Sequence, residues 1–289
     1  MKVEEIITAK ILAKLEAGTV PWHKPWSGGD MPKNLVSKKE YRGINTFLLS
    51  CSGFSSPYWL SFKQAQELGG TVKKGEKGSP VVFWKQLPIE ETDENGKKTV
   101  KNIPFLRYYT AFNLDQCENI NPDKIPQSAK VLNNNEKIEQ CEAIVAGMPK
   151  RPEINHGEQR AYYRPITDTV NMPKMETFDG SEEYYGTLFH ELTHATGHET
   201  RVNRKGVSGE SGEWSSFGSA PYAKEELVAE MGAAFLCGIC QIENKTIDNS
   251  AAYIKSWLKR LKDDAKLVIM AAAQAQKAAD FIRGINHNE

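Results

Sequence analysis

The spacing of apolar residues predicts the helices of this chain. In VEEIITAKILAKLEAG, Val3, Ile7, Ile11 and Leu15 recur four positions apart and Gly18 follows, a pattern typical of an amphipathic helix and its C-terminal stop. Similar patterns predict a short helix near SFKQAQELGG and a longer one in KIEQCEAIVAGM. Further helices are expected at about 181–199, 223–240, 250–262 and 265–283.

Other segments are rich in β-branched and aromatic residues, which favours strands. After VPWHKPW an extended region is expected up to about Leu49. SPVVFWKQL and PFLRYYTAFNL are predicted to form a hairpin whose turn is Asn95-Gly96, and AYYRPITDTVNMP is expected to be extended. The predicted fold class is therefore α+β.

A segment rich in Pro, Asn and Ser, ENINPDKIPQSAKVLNNNE, separates a strand-rich part from a more helical part. We place a domain boundary there, which gives domains 1–130 and 131–289 in a chain long enough for both. The net charge is zero, but basic residues exceed acidic ones by 19 to 14 in the first part and fall short by 18 to 23 in the second. The two parts are therefore expected to meet different partners.

The N-terminal segment and the cysteines bear on the cellular location. MKVEEIITAK lacks the apolar core of a signal peptide, and the longest apolar runs are too short to span a membrane, so we expect a cytoplasmic protein with no membrane partner. Five cysteines do not suggest a disulfide framework, and reduced thiols are expected. Cys237 and Cys240 form a CxxC in an apolar helix, where burial in the core is favoured over zinc or redox chemistry.

The segment HELTHATGHE, which begins at His190, carries the residue types of a metal site within a predicted helix. Helix positions four apart differ by about 40° in direction, so His190 and His194 can bind one ion together. Imidazole suits zinc, and Glu191 can act as a general base toward water. The same residue pattern also occurs in helices whose histidines bind no metal and only form hydrogen bonds. A third ligand would decide in favour of a metal site.

Three candidates exist for the third ligand. The longer metzincin pattern HExxHxxGxxH needs a histidine at position 200, where this chain has Thr200, so it fails. His198 lies one turn beyond His194 but points about 80° away from His190, and Gly197 is expected to end the helix before it.

The third candidate is the helix YAKEELVAEMGAAFLC. Glu226 and Glu230 share one face of this otherwise apolar helix, where unpaired carboxylates are unfavourable. One of them can bind zinc while the other accepts the free N–H of a ligand histidine, the two-helix design of gluzincins. Glu225 faces elsewhere and is expected to be solvated. The alternative is that these acids form a charged surface stripe.

Motifs in both halves of the chain match one known family. In the second half they are HELTHATGH, Arg201-Val-Asn-Arg204, YAKEEL through Phe235-Leu236-Cys237, and AAYIKSW. In the first half they are GTVPWHKPW, the Pro32 and Asn34 of MPKN, YRGIN, YWLSFKQAQELGG, KKGEKGSPVVFWK and AFNLDQ. Through these motifs the chain resembles, over nearly its whole length, the ArdC-type antirestriction proteins. One departure is Ala195, where the family usually has tryptophan, at a position not expected to touch the metal.

The resemblance implies a small N-terminal α+β domain that binds single-stranded DNA, followed by a mainly helical, zincin-like metallopeptidase domain of the gluzincin type. It implies one Zn²⁺ per chain, with His190, His194 and Glu226 as ligands, Glu191 as the catalytic residue, and a protein or peptide as substrate. Glu230 is then expected to be the outer partner of a ligand histidine.

In zincins a strand before the metal helix pairs with the substrate backbone, and AYYRPITDTVNMP is placed to do so. Tyr162, Tyr163 and Tyr222 are candidates for stabilising an oxyanion, although tyrosine more often serves in packing.

Residues 1–85 combine thirteen Lys and Arg, against seven acids, with many aromatic rings, the two features that single-strand binding requires. Composition alone favours a small aromatic core with a solvated lysine face, whereas the resemblance favours DNA binding. The predicted phosphate contacts are Lys38, Lys39, Arg42, Lys73, Lys74 and Lys77. The predicted stacking residues are Trp22 and Trp26.

Together with these features, the resemblance implies an antirestriction protein that binds single-stranded DNA, carries a zinc peptidase site and protects the incoming DNA of a mobile genetic element. Two alternatives stay open. One is a non-catalytic DNA-binding protein with a structural or vestigial metal site, and the other is a peptidase whose N-terminal domain recognises protein. The sequence carries no signal for an oligomeric state.

Overall fold

The computed structural model describes residues 2–22, 31–92, 98–126, 131–204, 220–244 and 251–285. Its α-helices are α1 (Val3–Glu16), α2 (Ile44–Ser50), α3 (Phe62–Glu67), α4 (Asn134–Gly147), α5 (Ser181–Ala195), α6 (Ala220–Ile239), α7 (Ala251–Asp263) and α8 (Leu267–Ile282). Its strands are β1 (Lys33–Asn34), β2 (Tyr58–Ser61), β3 (Thr71–Val72), β4 (Ser79–Thr92), β5 (Lys98–Asn113), β6 (Cys117–Glu118), β7 (Glu153–Asn155), β8 (Tyr162–Arg164) and β9 (Thr169–Asn171). The predicted α+β class is confirmed.

The first half is built around a sheet with the order β1-β2-β5-β4, in which β1 is parallel to β2 and the other neighbours are antiparallel. β3 pairs separately with β6. β4 and β5 form the predicted hairpin, whose predicted turn at Asn95-Gly96 lies outside the described residues. In the second half, β9 lies between β7 and β8. β8 is therefore an edge strand of a small sheet that precedes α5.

Helix α1 forms where the apolar spacing predicts it. Ile7, Ile11 and Leu15 are buried on its inner face. At its end Gly18 adopts a φ of 76°, and the Thr19 N–H donates to the Lys14 carbonyl at 2.9 Å. This bond across a left-handed glycine is the Schellman arrangement, which satisfies carbonyls that the helix leaves without partners. The sequence therefore defines both the inner face and the stop of α1.

Helix α2 corrects the prediction of an extended region up to Leu49. Its buried residues include Ile44 and Phe47, and the Phe47 ring stacks on Phe235 of α6 with centroids 4.7 Å apart. The Asn45 side chain exchanges two hydrogen bonds of 2.8 Å with the backbone of Val82 in β4. These contacts come from distant parts of the chain, and a seven-residue helix depends on such packing rather than on local propensity.

One large hydrophobic core joins both halves of the chain. It includes Ile7 and Phe47 from the first half and Phe235 and Leu261 from the second. An ion pair between Arg42 and Asp280 on α8 also crosses between the halves. The boundary predicted near residue 130 stays a prediction, but the two parts are packed together rather than joined only by a linker.

The five cysteines carry free thiols, as the sequence predicts. Cys237 and Cys240 are fully buried at the C-terminal end of α6, in the same core as Cys141. In the described part of the chain, no helix is both long and apolar enough to cross a membrane.

Candidate metal centre

Two packed helices bring His190, His194 and Glu226 together. The histidines lie one turn apart on α5 and Glu226 lies on α6, and one ligand atom from each residue falls within 4.8 Å of the others. The two Nε2 atoms are 3.1 Å apart, Glu226 Oε2 lies 3.5 Å from His190 Nε2, and Glu226 Oε1 lies 3.6 Å from His194 Nε2. The predicted set of three ligands therefore forms a small triangle of donor atoms.

The size of this triangle fits one metal ion. Ligands of a tetrahedral zinc at about 2.0–2.2 Å stand about 3.3–3.6 Å from one another. The two Nε2 atoms, 3.1 Å apart, and each Nε2 with a different Glu226 oxygen, 3.5 and 3.6 Å apart, have similar separations. The triangle also carries excess negative charge. Burial lowers the pKa of His190, but a hydrogen bond with Glu226 and the charges of Glu191 and Glu230 outweigh burial and raise that pKa to about 9. Such a site attracts a cation, whether a proton or a metal.

Glu225 corrects the prediction that it is solvated. It is buried, and its Oε1 lies 3.3 Å from His194 Nδ1, where it can accept the N–H of the ring. When Nδ1 donates its proton to Glu225, Nε2 of His194, the atom that faces Glu226, has its lone pair available for a metal. Glu225, rather than Glu230, is therefore the outer partner of this ligand histidine.

Arg204 holds Glu225 in place from the opposite side. Its Nη2 and Nε donate to the two carboxylate oxygens at 2.5 and 3.1 Å. Its remaining donors reach the Thr193 carbonyl and the Thr196 hydroxyl, which lie at the end of the metal helix, at 2.7 and 2.5 Å. Burial raises the pKa of Glu225, but the charge of Arg204 and the bond to His194 outweigh it, so the pKa is lowered. Glu225 therefore stays ionised beside His194.

Glu230 has a different partner from the one predicted. It is buried on α6 and accepts the indole N–H of Trp22 at 2.8 Å. Burial, together with the charge of Glu226, outweighs the opposing effects of His190 and Trp22 and raises the pKa of Glu230 to about 8. Glu230 therefore ties the first half of the chain to the metal helices.

Glu191, the predicted catalytic residue, is a buried carboxylate on α5 beside ligand His190. Among the described residues it makes no hydrogen bond or salt bridge with another side chain. A carboxylate in this position is free to accept a proton from water. His198 lies after the end of α5, where its Nδ1 is 2.9 Å from the Thr200 hydroxyl, and it is not part of the cluster.

The tyrosine candidates differ in availability. The Tyr163 hydroxyl is buried and donates to Asp168 at 2.8 Å, and both burial and this bond raise its pKa. Tyr162 donates to Glu158 at 2.8 Å, and the side chain of Tyr222 lies outside the described residues. Tyr163 therefore serves in packing. β8 lies at the edge of its sheet, and its pairing with a substrate backbone stays a prediction.

The predicted DNA contacts separate into two groups. Trp22 is fully buried, so the prediction that a base stacks on its ring is wrong, and Trp26 lies outside the described residues. The six predicted cations are exposed, although three of them already contact protein. Lys38 and Lys73 donate to backbone carbonyls at 3.3 and 2.8 Å, and Arg42 pairs with Asp280. The phosphate contacts of these cations stay predictions.

Both halves of this chain are similar in sequence to known protein families. The family described as the N-terminal domain of anti-restriction factor ArdC matches residues 1–112, and the family described as a zincin-like metallopeptidase matches residues 139–274. The uncharacterised protein y4eC of Sinorhizobium fredii is 36% identical over 97% of this chain and 91% of its own length. A DNA primase TraC of Escherichia coli is 36% identical over 96% of this chain, which spans only 27% of that primase.

Two solved structures of the antirestriction protein ArdC from plasmid R388, one metal-free and one Mn(II)-bound, are 38% identical with a TM-score of 0.76. The alignments cover 99% of this chain and 100% of the metal-free chain, and 98% of each chain in the Mn(II)-bound case. Full-length similarity in both sequence and fold, together with the His-His-Glu cluster, shows that this chain belongs to the ArdC family of antirestriction proteins.

Proposed function

We propose that this protein joins a zinc-dependent peptidase to a half that binds single-stranded DNA, and that it protects the incoming DNA of a mobile element from host restriction. One observation supports the proposed peptidase activity. Glu191 adjoins ligand His190 on a helix whose two histidines and Glu226 form a triangle sized for one ion. A purely structural zinc site is usually closed by four protein ligands, whereas three ligands leave a position open for chemistry.

The proposed reaction uses the residues of the two helices. When bound, zinc supplies a Lewis acid that polarises a substrate carbonyl. Glu191 takes the proton of the attacking water and returns it to the leaving amine, which is general base and then general acid catalysis. Glu225 and Arg204 hold His194 in the orientation that binds the metal. The edge strand β8 holds the substrate backbone by strand addition.

The metal assignment rests on the donor set, because two imidazoles and one carboxylate suit zinc. The R388 relative binds Mn(II) in one of its structures, so the ion is tested directly. Elemental analysis of the purified protein should find about one zinc per chain. His194→Ala and Glu226→Ala should each lose it, whereas His198→Ala, a change at a partly buried histidine outside the cluster, should keep it. Manganese in place of zinc, or metal loss in His198→Ala alone, would overturn the assignment.

The role of hydrolysis is tested by Glu191→Gln, which removes the base but none of the three ligands. The assay measures how well unmodified plasmid DNA establishes itself after entering a restricting host as a single strand. We expect Glu191→Gln to retain metal and DNA binding but to lose protection. Glu182→Gln, a change on the same helix at a more exposed position, should protect normally.

The outcome of this assay also distinguishes the two alternatives. If Glu191→Gln protects as well as the unaltered protein, hydrolysis is unnecessary, and coating of single strands becomes the better explanation. If protection needs Glu191 but the protein shows no affinity for single-stranded DNA, the first half recognises protein instead.

A further inference from the structure

The β4–β5 hairpin presents two different faces. Directly opposite residues of an antiparallel pair project to the same side, and successive residues alternate between sides. Phe83 lies opposite Arg107, Lys85 opposite Phe105, and Val81 opposite Tyr109. Phe83, Lys85, Phe105, Arg107 and Tyr109 therefore share one side of the hairpin, which we call the ribbon face.

The ribbon face exposes large aromatic rings to solvent. Phe83 is 43% exposed, Phe105 is 48% exposed and Tyr109 is 37% exposed. The Phe83 and Tyr109 rings lie side by side with centroids 6.2 Å apart. Contiguous exposed apolar surface of this kind is uncommon on a soluble protein unless it binds something.

Cations alternate with these rings. The Arg107 guanidinium carbon lies 5.7 Å from the centre of the Phe105 ring, and both Arg107 and Lys85 are exposed. No carboxylate occurs on this side between positions 79 and 87 or between positions 103 and 111. The ribbon face is thus both aromatic and positively charged.

The opposite side of the same hairpin provides a contrast. It carries Trp84, which is 51% exposed, and Tyr108, which is 46% exposed, but no Lys or Arg between positions 80 and 88 or 104 and 110. Near the base of the hairpin, its Val82 and Leu106 are buried in the main core. The aromatic and the cationic character therefore coincide on one side only.

We propose that the ribbon face is the surface that binds single-stranded DNA, with bases stacking on Phe83 and Phe105 and phosphates contacting Lys85 and Arg107. This inference rests on the proposed DNA binding of the first half and specifies where that binding occurs. Stacking platforms lined by cations bind single strands with little regard to sequence, because every base has a π-face. A duplex hides those faces, so single strands are the favoured partner.

Charge favours DNA over a protein as the occupant. The ribbon face carries positive charge but no carboxylate. It therefore has no group that could pair with the Lys or Arg side chains of a protein partner. A nucleic acid satisfies both features at once, because its bases cover the rings and its phosphates neutralise the cations.

The test measures binding of the full-length protein to a labelled oligothymidylate by fluorescence anisotropy at several salt concentrations, with a matched duplex for comparison. Phe105→Ala should weaken single-strand binding about 5- to 150-fold with an unchanged salt slope. Arg107→Gln should reduce the slope of log K against log salt by about 0.7, the contribution of one phosphate in a single strand. Both side chains are exposed, so thermal unfolding of the variants should match that of the unaltered protein.

Trp84→Ala is the matched control, because Trp84 lies on the same hairpin, is at least as exposed and points to the opposite side. It should bind the oligonucleotide normally. If Phe105→Ala binds as tightly as the unaltered protein, or if Trp84→Ala loses as much affinity as Phe105→Ala, the ribbon face is not the binding surface. DNA binding at another surface of the protein would still agree with either result. If the unaltered protein does not bind the oligonucleotide in low salt, both this inference and the proposed DNA binding are wrong.

Discussion

The contact between Glu225 and His194 predicts how strongly this site holds its metal. Glu225→Gln keeps an oxygen that can accept the His194 N–H but removes the negative charge that strengthens imidazole as a ligand. Loss of such an outer partner typically reduces metal affinity about 10- to 100-fold, or ~1.4–2.7 kcal/mol. We expect a reduction in this range, in contrast to the complete loss expected for Glu226→Ala.

The same substitution also changes stability, because it leaves Arg204 buried without its carboxylate. Breaking a buried ion pair on one side destabilises a protein by about 3–5 kcal/mol. The remaining bonds of Arg204 to the Thr193 carbonyl and the Thr196 hydroxyl reduce this effect. Removing both charges, in Arg204→Met combined with Glu225→Gln, should recover part of the stability, since no unpaired charge stays buried.

Metal affinity and stability can therefore be separated. The assays are competition with a chelator of known affinity and denaturant unfolding of the metal-free protein. The double variant should be more stable than Glu225→Gln but equally weak in metal binding, because neither protein restores the carboxylate beside His194. The control is Glu182→Gln, which removes a charge near the start of α5 and should alter neither quantity by much. If the double variant regains full metal affinity, Glu225 acts only through stability and does not orient His194.

Two further predictions concern titrating groups whose pKa is raised. The pKa of Glu230, about 8 in the folded protein, exceeds its ordinary value of 4.5, so its stabilising contribution is present below pH 4.5 and is lost as pH rises toward 8. The stability of the unaltered protein relative to Glu230→Gln should therefore fall over this interval by up to about 1.4 kcal/mol per pH unit when measured in chelator, and a constant difference would contradict the shift. Burial, opposed by the charge of Lys14, raises the pKa of Cys51 to about 11, so alkylation of Cys51 near neutral pH should be on the order of 100-fold slower than that of an exposed thiol. Mass spectrometry after timed labelling checks this, and rapid labelling of the folded protein would refute it.

The spacing of apolar residues predicted most helices, because the buried face of each of these helices is defined by residues within the helix itself. The inner residues of α1 recur at a regular interval, and α5 to α8 begin and end near the expected positions. Helix α2 was not predicted, because it is short and is stabilised by contacts with Phe235 and Val82, which are far away in sequence. No local pattern reports a contact of that kind.

The two histidine ligands were predictable because spacing along one helix fixes the relation of His190 to His194, whereas the choice of Glu226 over Glu230 came from the family resemblance. Their outer partner was not, because Glu225 points away from Glu226 when α6 is considered alone. The segment after α5 places Arg204 against that side of α6, and the arginine makes burial of Glu225 favourable. The only available signal was an arginine shortly after the motif, which has no defined direction until the chain folds.

The aromatic residues show why composition did not locate the proposed DNA surface. Trp22 lies in a segment rich in cations and rings, yet it is buried against Glu230, and its indole N–H is used there. Phe105 and Arg107 lie beyond residues 1–85, the window that is rich in cations, and follow the acidic stretch 90–94, so local charge gives little signal there. Strand pairing, which alternation alone does not fix, brings them beside Lys85 and Phe83. A binding surface built across two strands is therefore defined by register, and a residue count along one segment cannot reveal it.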